Sequence, residues 1–451
     1  MESPAVPVPL DPREQPILEK LLRTRDALLL LKQDKSSYIK SRDVLPLYEE
    51  VIGEVETLNS IRKERGGRLI YNRFIVSLLL VDYVLDDCFQ LISLLFLTVG
   101  RNNEAPATYS LATTIQRLLD HLEEAGFYSA KDLESISKTL DSMQEAIERG
   151  KDIHSPHLLT LLQSRLQQCH ISLDTLYNGL KPLAAELAPL HETLVSILRS
   201  TSAVNTRSKF SASEVLDLQE RLKEIQSRTK DGNFVGSDGQ VLSGQEVVKP
   251  LWDRCWRWTE LVLERKGQVE ERFQEQYSRI LEIKNQLERL SMTQAWSLRE
   301  TDLFQFQRKL DRIDEARVNG NFIDSTGQTA DLHTQRTLLY LIRRSYAYIY
   351  ALLIASEPVS EALLPIYNQL QTLRRCLLEV KDSGGVSNAR ELYPYSMKLN
   401  SIDSMRVDGK FFIGSDLPEG QGSVNSLLAE CYEIAYELRA AVDEDKEDQE
   451  D

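Results

Sequence analysis

Five cysteines, six histidines and one pair of adjacent aspartates are the side chains of this sequence best suited to chemistry. Four of the cysteines, Cys88, Cys169, Cys255 and Cys431, stand 81, 86 and 176 residues apart, and Ser345 occupies the middle of the longest interval. Thiols that converge can do redox or metal chemistry, whereas thiols placed one per structural unit are small buried apolar groups. The spacing favours the second reading, because each of the five positions is followed by a ring, in Phe89, His170, Trp256, Tyr346 and Tyr432. A small residue with a ring beside it marks where one helix can approach another. Cys376 has no place in this register. An odd number of thiols, four of them in separate units, is no disulfide framework and suits a reducing compartment, the cytoplasm or nucleus.

The remaining candidates for chemistry are weaker. His154 and His157 flank Pro156, but zinc needs three or four converging ligands and nothing nearby supplies the others. Asp86-Asp87 is similar to the aspartate-rich magnesium motif of helical terpene synthases, except that Gln90 stands where the third acid belongs. No phosphate-binding glycine loop or nucleophile elbow is present. Arg343-Arg344-Ser345 spells a basic-directed phosphorylation site, yet Ser345 lies in the cysteine column and is expected to be buried. The polar, basic, serine-rich stretch Ser200 to Ser213 reads as a loop between helices. No catalytic residue, metal or cofactor is expected.

These positions must be held by helices. Upstream of each Cys/Ser lies a leucine, Leu58, Leu140, Leu222, Leu310 or Leu399. An apolar residue follows three on (Ile61, Met143, Ile225, Ile313, Ile402), and another precedes by seven (Val51, Leu133, Val215, Leu303, Leu392). Apolar residues at i, i+7 and i+10 form one face of a helix. Self-similarity at about 85 residues signals stacked supersecondary units. Each unit reads as helix A, capped by Ser129, Ser211 or Asn388 where the cap is clear; helix B, carrying the cysteine column; a breaker at Gly100, Pro182, Gly267 or Pro358; and helix C.

The expected fold is all-α: about five degenerate three-helix repeats of roughly 85 residues, solenoid-like or as stacked bundles, with about fifteen helices and no sheet. The expected boundaries are an extended Pro-rich arm at 1–13, a helical-repeat array at 14–442 and an acidic disordered tail at 443–451. Within the array come a capping helix at 14–33 and units at about 41–125, 129–200, 211–293, 297–383 and 388–441. The period sets connectivity and leaves the curvature of the array open.

Composition narrows the function classes. The net charge is −15, and residues 443–451 contribute seven acids against one lysine. Such a chain has no basic footprint for sequence-independent nucleic-acid binding. The most apolar stretch, Phe74 to Val99, is interrupted by Asp82, Asp86 and Asp87, so a buried helix is expected there and no membrane span. Glu2 and the prolines that follow it do not make a signal peptide.

The sharpest local motif is a loop that occurs three times: Asp231-Gly232-Asn233-Phe234, Asn319-Gly320-Asn321-Phe322 and Asp408-Gly409-Lys410-Phe411. Glycine in the left-handed region would close helix A, and the ring would fold back on it. Gln245, Gln335 and Gln421, each ten residues before the column, are expected to bond the loop backbone at the start of helix B. The loops could also form a repeated docking surface for other proteins, built from Arg228, Lys230, Asp231, Phe234, Arg317, Asn319, Phe322, Arg406, Asp408, Lys410 and Phe411.

These loops, the paired leucine and isoleucine before them and the acidic tail resemble the fungal uncharacterised protein family 0662, which carries a domain of unknown function. The resemblance implies a soluble protein of cytoplasm and nucleus and carries over no activity or catalytic residue. The first two units lack the full motif, with Arg65-Gly66-Gly67 and Arg149-Gly150 in its place. The functional expectation is a non-enzymatic scaffold or adaptor that binds proteins of unknown identity. Two rivals stand beside it: an enzyme with a buried site drawing on Asp86, Asp87, Arg343, Arg344 and Tyr348, and a basic helical groove that recognises phosphorylated peptides.

Overall fold

The computed structural model describes residues 11–64, 80–229, 232–235, 240–294 and 298–450. Among these are fifteen α-helices. They are α1 (Gln15–Gln33), α2 (Ser41–Glu64), α3 (Leu80–Thr98), α4 (Thr108–Ala125), α5 (Ala130–Arg149), α6 (Pro156–Leu180), α7 (Ala188–Asn205) and α8 (Ala212–Ser227), followed by α9 (Gln245–Arg265), α10 (Gln274–Arg289), α11 (Leu303–Glu315), α12 (Leu332–Ile354), α13 (Leu364–Asp382), α14 (Tyr393–Asp403) and α15 (Gln421–Glu450). The expected caps are present. Ser129 and Asp132 form a capping box on α5, and Ser211 caps α8. Asn388 caps a 3-10 turn that leads into α14.

The helices pack in threes: α1–α3, α4–α6, α7–α9, α10–α12 and α13–α15. In each group the first helix lies along the third. The helix expected to close one unit therefore opens the next packing group, a choice that the spacing of columns does not decide. The cysteines sit at this contact. Cys88 Sγ donates to the Leu21 carbonyl of α1 at 3.6 Å, Cys169 to Ala112 of α4 at 3.6 Å, Cys255 to Leu194 of α7 at 3.4 Å and Cys431 to Leu370 of α13 at 3.5 Å. All four thiols are at most 1% exposed. Ser345 is equally buried but donates within its own helix, to the Leu341 carbonyl at 2.8 Å.

The chain also folds back on itself. Helix α12 lies against α4, and α3 meets α11 and the turn at Glu300–Asp302, so the fourth group packs on the second and the first. A buried polar network ties this joint. Arg117 of α4 reaches Asp314 at 2.9 Å and Asp311 at 3.3 Å, His121 Nε2 lies 3.0 Å from Asp314, and Tyr346 of α12 donates to Asp311 at 2.7 Å. Glycines allow two loops to close on preceding turns. A Cβ on Gly244 would stand 2.6 Å from the Leu183 Cα, and one on Gly420 2.6 Å from the Val359 Cα.

Four expectations need correction. A small sheet exists: β1 (Arg406–Val407) pairs antiparallel with β2 (Lys410–Phe411). Asp408 and Gly409, at φ of 49° and 74°, form its turn, and Asn319 and Gly320 repeat it at 50° and 78° beneath a Val318–Asn321 bridge. These glycines make type I′ hairpins and do not cap helix A. The backbone of α15 is helical through residues 443–450, the run expected as a disordered tail; Glu, Lys and Gln are good helix formers even where their charge opposes the helix dipole. Of the expected extended arm, Pro12–Glu14 is a 3-10 turn capped by Asp11, which is 4% exposed. Residues 1–10, Lys230, Asp231 and Arg65-Gly66-Gly67 lie outside the described residues. No helix among the described residues is long and apolar enough to cross a membrane.

Candidate functional site: a basic cleft between helix groups

Helix α12 has two unlike faces. Leu338, Leu341, Ile342, Ser345 and Ile349 are buried in the core. Tyr340, Arg343, Arg344, Ala347 and Tyr348, at i, i+3, i+4, i+7 and i+8, share the face that looks into a cleft of about 1100 Å³. The other walls come from α4, α5, α7, α10 and the loop after α7. The floor is apolar, with Leu118, Leu122 and Ile136. Six basic side chains line it, Arg199, Arg207, Lys209, Lys284, Arg343 and Arg344, against the acids Asp132 and Glu288. Six minus two gives +4 at this one place, in a chain of −15.

Most of these charges are anchored. Arg199 is held by Asp132, Arg207 by Glu214 at 2.7 Å and Lys284 by Glu288 at 2.7 Å. Arg344 lies over the Tyr348 ring at 4.5 Å, and the Tyr348 hydroxyl donates to Glu288 at 2.8 Å. Arg343 differs. It is 9% exposed, stacked on Phe127 at 4.3 Å, with no carboxylate in ion-pair range among the described residues, and its buried Nη1 has no hydrogen-bond partner. Burial first and Arg199 second bring its pKa down to about 10, which leaves it charged at neutral pH.

The residues picked out in the sequence are divided. Arg343, Arg344, Tyr348, Ser200 and Ser208 line the cleft. Asp86 and Asp87 do not. Asp86 accepts from Arg165 at 2.9 Å and Tyr109 at 2.6 Å, while Asp87 forms an ion pair with Arg308 at 2.7 Å. Burial pushes the Asp87 carboxyl up to about 6 against the pull of Arg308. Both carboxylates are engaged by arginines. His154 bonds Tyr48 and His157 bonds Asn59, each at 3.1 Å. No group of three His, Cys, Asp or Glu poised for a metal ion occurs among the described residues.

The recurring loops lie away from the cleft, and their rings serve the core. Phe234, Phe322 and Phe411 are 8%, 2% and 1% exposed. The amide N–H of each donates to Oε1 of Gln245, Gln335 or Gln421, whose Nε2 donates back to the same residue's carbonyl, at 2.6 to 3.2 Å. Arg317 is pinned by Glu124 at 2.6 Å and Asp314 at 2.9 Å, and Arg406 by Asp403. Arg228, Asn319, Asp408 and Lys410 remain exposed.

Two fungal proteins share this sequence nearly end to end. A CUB1 family protein of Schizosaccharomyces pombe is 38% identical over 447 residues, covering 97% of this chain and 94% of its own length. The chain belongs to the CUB1 family. The Cu(2+) suppressing and bleomycin sensitive protein 1 of Saccharomyces cerevisiae is 36% identical over 503 residues, covering 96% of this chain and 90% of its own length. The family described as Protein of unknown function (DUF2408) matches residues 180–300 and 357–451. Both stretches of this CUB1 family chain take in a three-helix group with its Gly-Asn-Phe or Gly-Lys-Phe loop, α7–α9 and α13–α15. The expected resemblance to a fungal family of unknown function is thus met. No solved structure matches the chain.

Proposed function

We propose that this CUB1 family protein is a non-enzymatic scaffold that holds other proteins in the cleft between its helix groups. The observation that carries the reading is the cleft itself: about 1100 Å³, walled by helices of three groups, apolar at its floor and basic at its rim. An apolar centre with a charged rim is the anatomy of a protein interface. Pairing supports a binding role over a catalytic one, because Asp86 and Asp87, the acids named for an enzyme, are engaged by Arg165 and Arg308 away from the cleft. The buried cysteines, all unpaired, fit a cytoplasmic and nuclear protein.

The test is crosslinking of the tagged protein in fungal cells, with partner crosslinks mapped to Lys209 and Lys284 on the rim. Ala347→Glu, which puts an acid on the α12 face, is expected to remove those crosslinks and to spare crosslinks mapped elsewhere. Partners that crosslink equally to the Ala347→Glu protein would rule the cleft out as the binding surface.

A further inference from the structure

Arg343 poses a problem that the cleft answers. A guanidinium removed from water is stable only when charge and hydrogen bonds compensate it. Every other arginine of the cleft has a partner: Arg199 has Asp132, Arg207 has Glu214, and Arg344 has the Tyr348 hydroxyl at 3.2 Å. Arg343 has the face of Phe127 and a buried, unpartnered Nη1. Stacking fixes the plane of the fork and leaves Nη1 unbonded, and a fork so held is suited to oxyanion recognition. The helix offers no acid at the four positions that could reach it, since Leu339, Tyr340, Tyr346 and Ala347 occupy i±3 and i±4.

We infer that the cleft recognises phosphate, and that Arg343 grips the phosphoryl group of a phosphorylated segment of a partner protein. The inference rests on the reading of the cleft as a protein-binding site. A dianion suits the place better than a carboxylate, because the lining carries six cations against two acids, and neither Arg343 nor Arg344 has a carboxylate in ion-pair range among the described residues. The rest of the cleft is built for a chain. Its volume of about 1100 Å³ is far larger than one phosphate needs, and Tyr277, Tyr340, Tyr348 and Tyr350 supply amphipathic walls for flanking residues. Arg344 follows Arg343 on α12, and Lys284 lines the same cleft.

The experiment uses the full-length protein and two fluorescent peptide pools, degenerate except for a central phosphoserine or serine. The wild type is expected to bind the phosphorylated pool at least tenfold more tightly. Arg343→Met should bring the two pools within twofold of each other, Arg343→Lys should recover only part of the difference, and Arg439→Met on the exposed surface of α15 should leave it intact. Removal of an unpaired buried cation should leave the melting temperature of Arg343→Met level or raised. If that variant fails to fold, the rim variant Lys284→Gln/Arg344→Gln should still lower the phosphopeptide preference several-fold. Equal binding of the two pools by the wild type, or an undiminished preference in Arg343→Met, overturns the inference. So does Arg343-dependent binding of mixed-sequence single-stranded RNA without phosphopeptide preference. Crosslinks at Lys209 and Lys284 that survive phosphatase treatment of the lysate would leave the scaffold reading standing and this inference refuted. Loss of both crosslinks and peptide binding in otherwise folded wild type would remove both.

Discussion

Replacing Asp314 by Asn should loosen the joint between the second and fourth helix groups and leave the last group untouched. The Asp314 side chain is 4% exposed and receives Arg117 at 2.9 Å, Arg317 at 2.9 Å and His121 at 3.0 Å. Removing one member of a buried ion pair costs about 3–5 kcal/mol, because the remaining charge is left uncompensated. The lower end applies here, since Arg117 keeps Asp311 and Glu315 and Arg317 keeps Glu124. About 3 kcal/mol corresponds to roughly a 150-fold loss of protection against hydrogen exchange in the amides of α4 and α12. The amides of α13–α15 belong to a separate core and should be unaffected.

Acid should reproduce part of this effect in the wild type. Burial alone would raise the Asp314 carboxyl, but the His121 hydrogen bond and charge, with Arg117 and Arg317, hold it below the usual carboxylate range. Its stabilisation is therefore complete above the unfolded-state pKa of about 4 and is lost as pH falls from there toward the native value. The Asn variant lacks this dependence. Exchange in α4 that rises less than fivefold, or that rises equally in α15, would refute the reasoning.

Three further outcomes follow from the geometry. Gln335→Ala should leave the Phe322 N–H and carbonyl unpaired, costing about 1–3 kcal/mol locally and speeding exchange of the Phe322 amide while Phe411 stays protected. In native protein at pH 8 a thiol reagent should label only Cys376, because burial pushes the Cys169 and Cys255 thiols up to about 12 and Cys431 to about 11; unfolding should expose all five. Gly420→Ala must place a Cβ 2.6 Å from Val359 and hold φ at 93°; a loss of at least about 2 kcal/mol in urea unfolding is expected.

The helices were legible because their buried stripes recur at fixed offsets, and Leu58, Leu140, Leu222, Leu310 and Leu399 are all at most 2% exposed. The grouping was not, since a column such as Cys88 to Cys431 has the same spacing whether the third helix of a unit packs backward or forward. The hairpins were misread because glycine at positive φ serves both a helix cap and a type I′ turn. A signal was nonetheless present: Gly409 lies seven residues past Ile402, the last apolar position of its helix, too far for a cap. The cleft drew on α4, α5, α7, α10 and α12, which sequence order keeps apart. Its one local trace was Arg343, a cation on a mostly apolar helix with no acid one turn away.

The contact between α4 and α12 also sets a timetable for synthesis. His121 meets Asp314 across 193 residues of chain. At about 5–20 residues per second, a ribosome takes roughly ten to forty seconds to supply the second half of that pair. Throughout this interval Arg117 and His121 lack the acids that later enclose them, and the α4 surface that α12 will cover is bare. The second helix group thus emerges early and matures late, and a nascent-chain chaperone has its longest opportunity there.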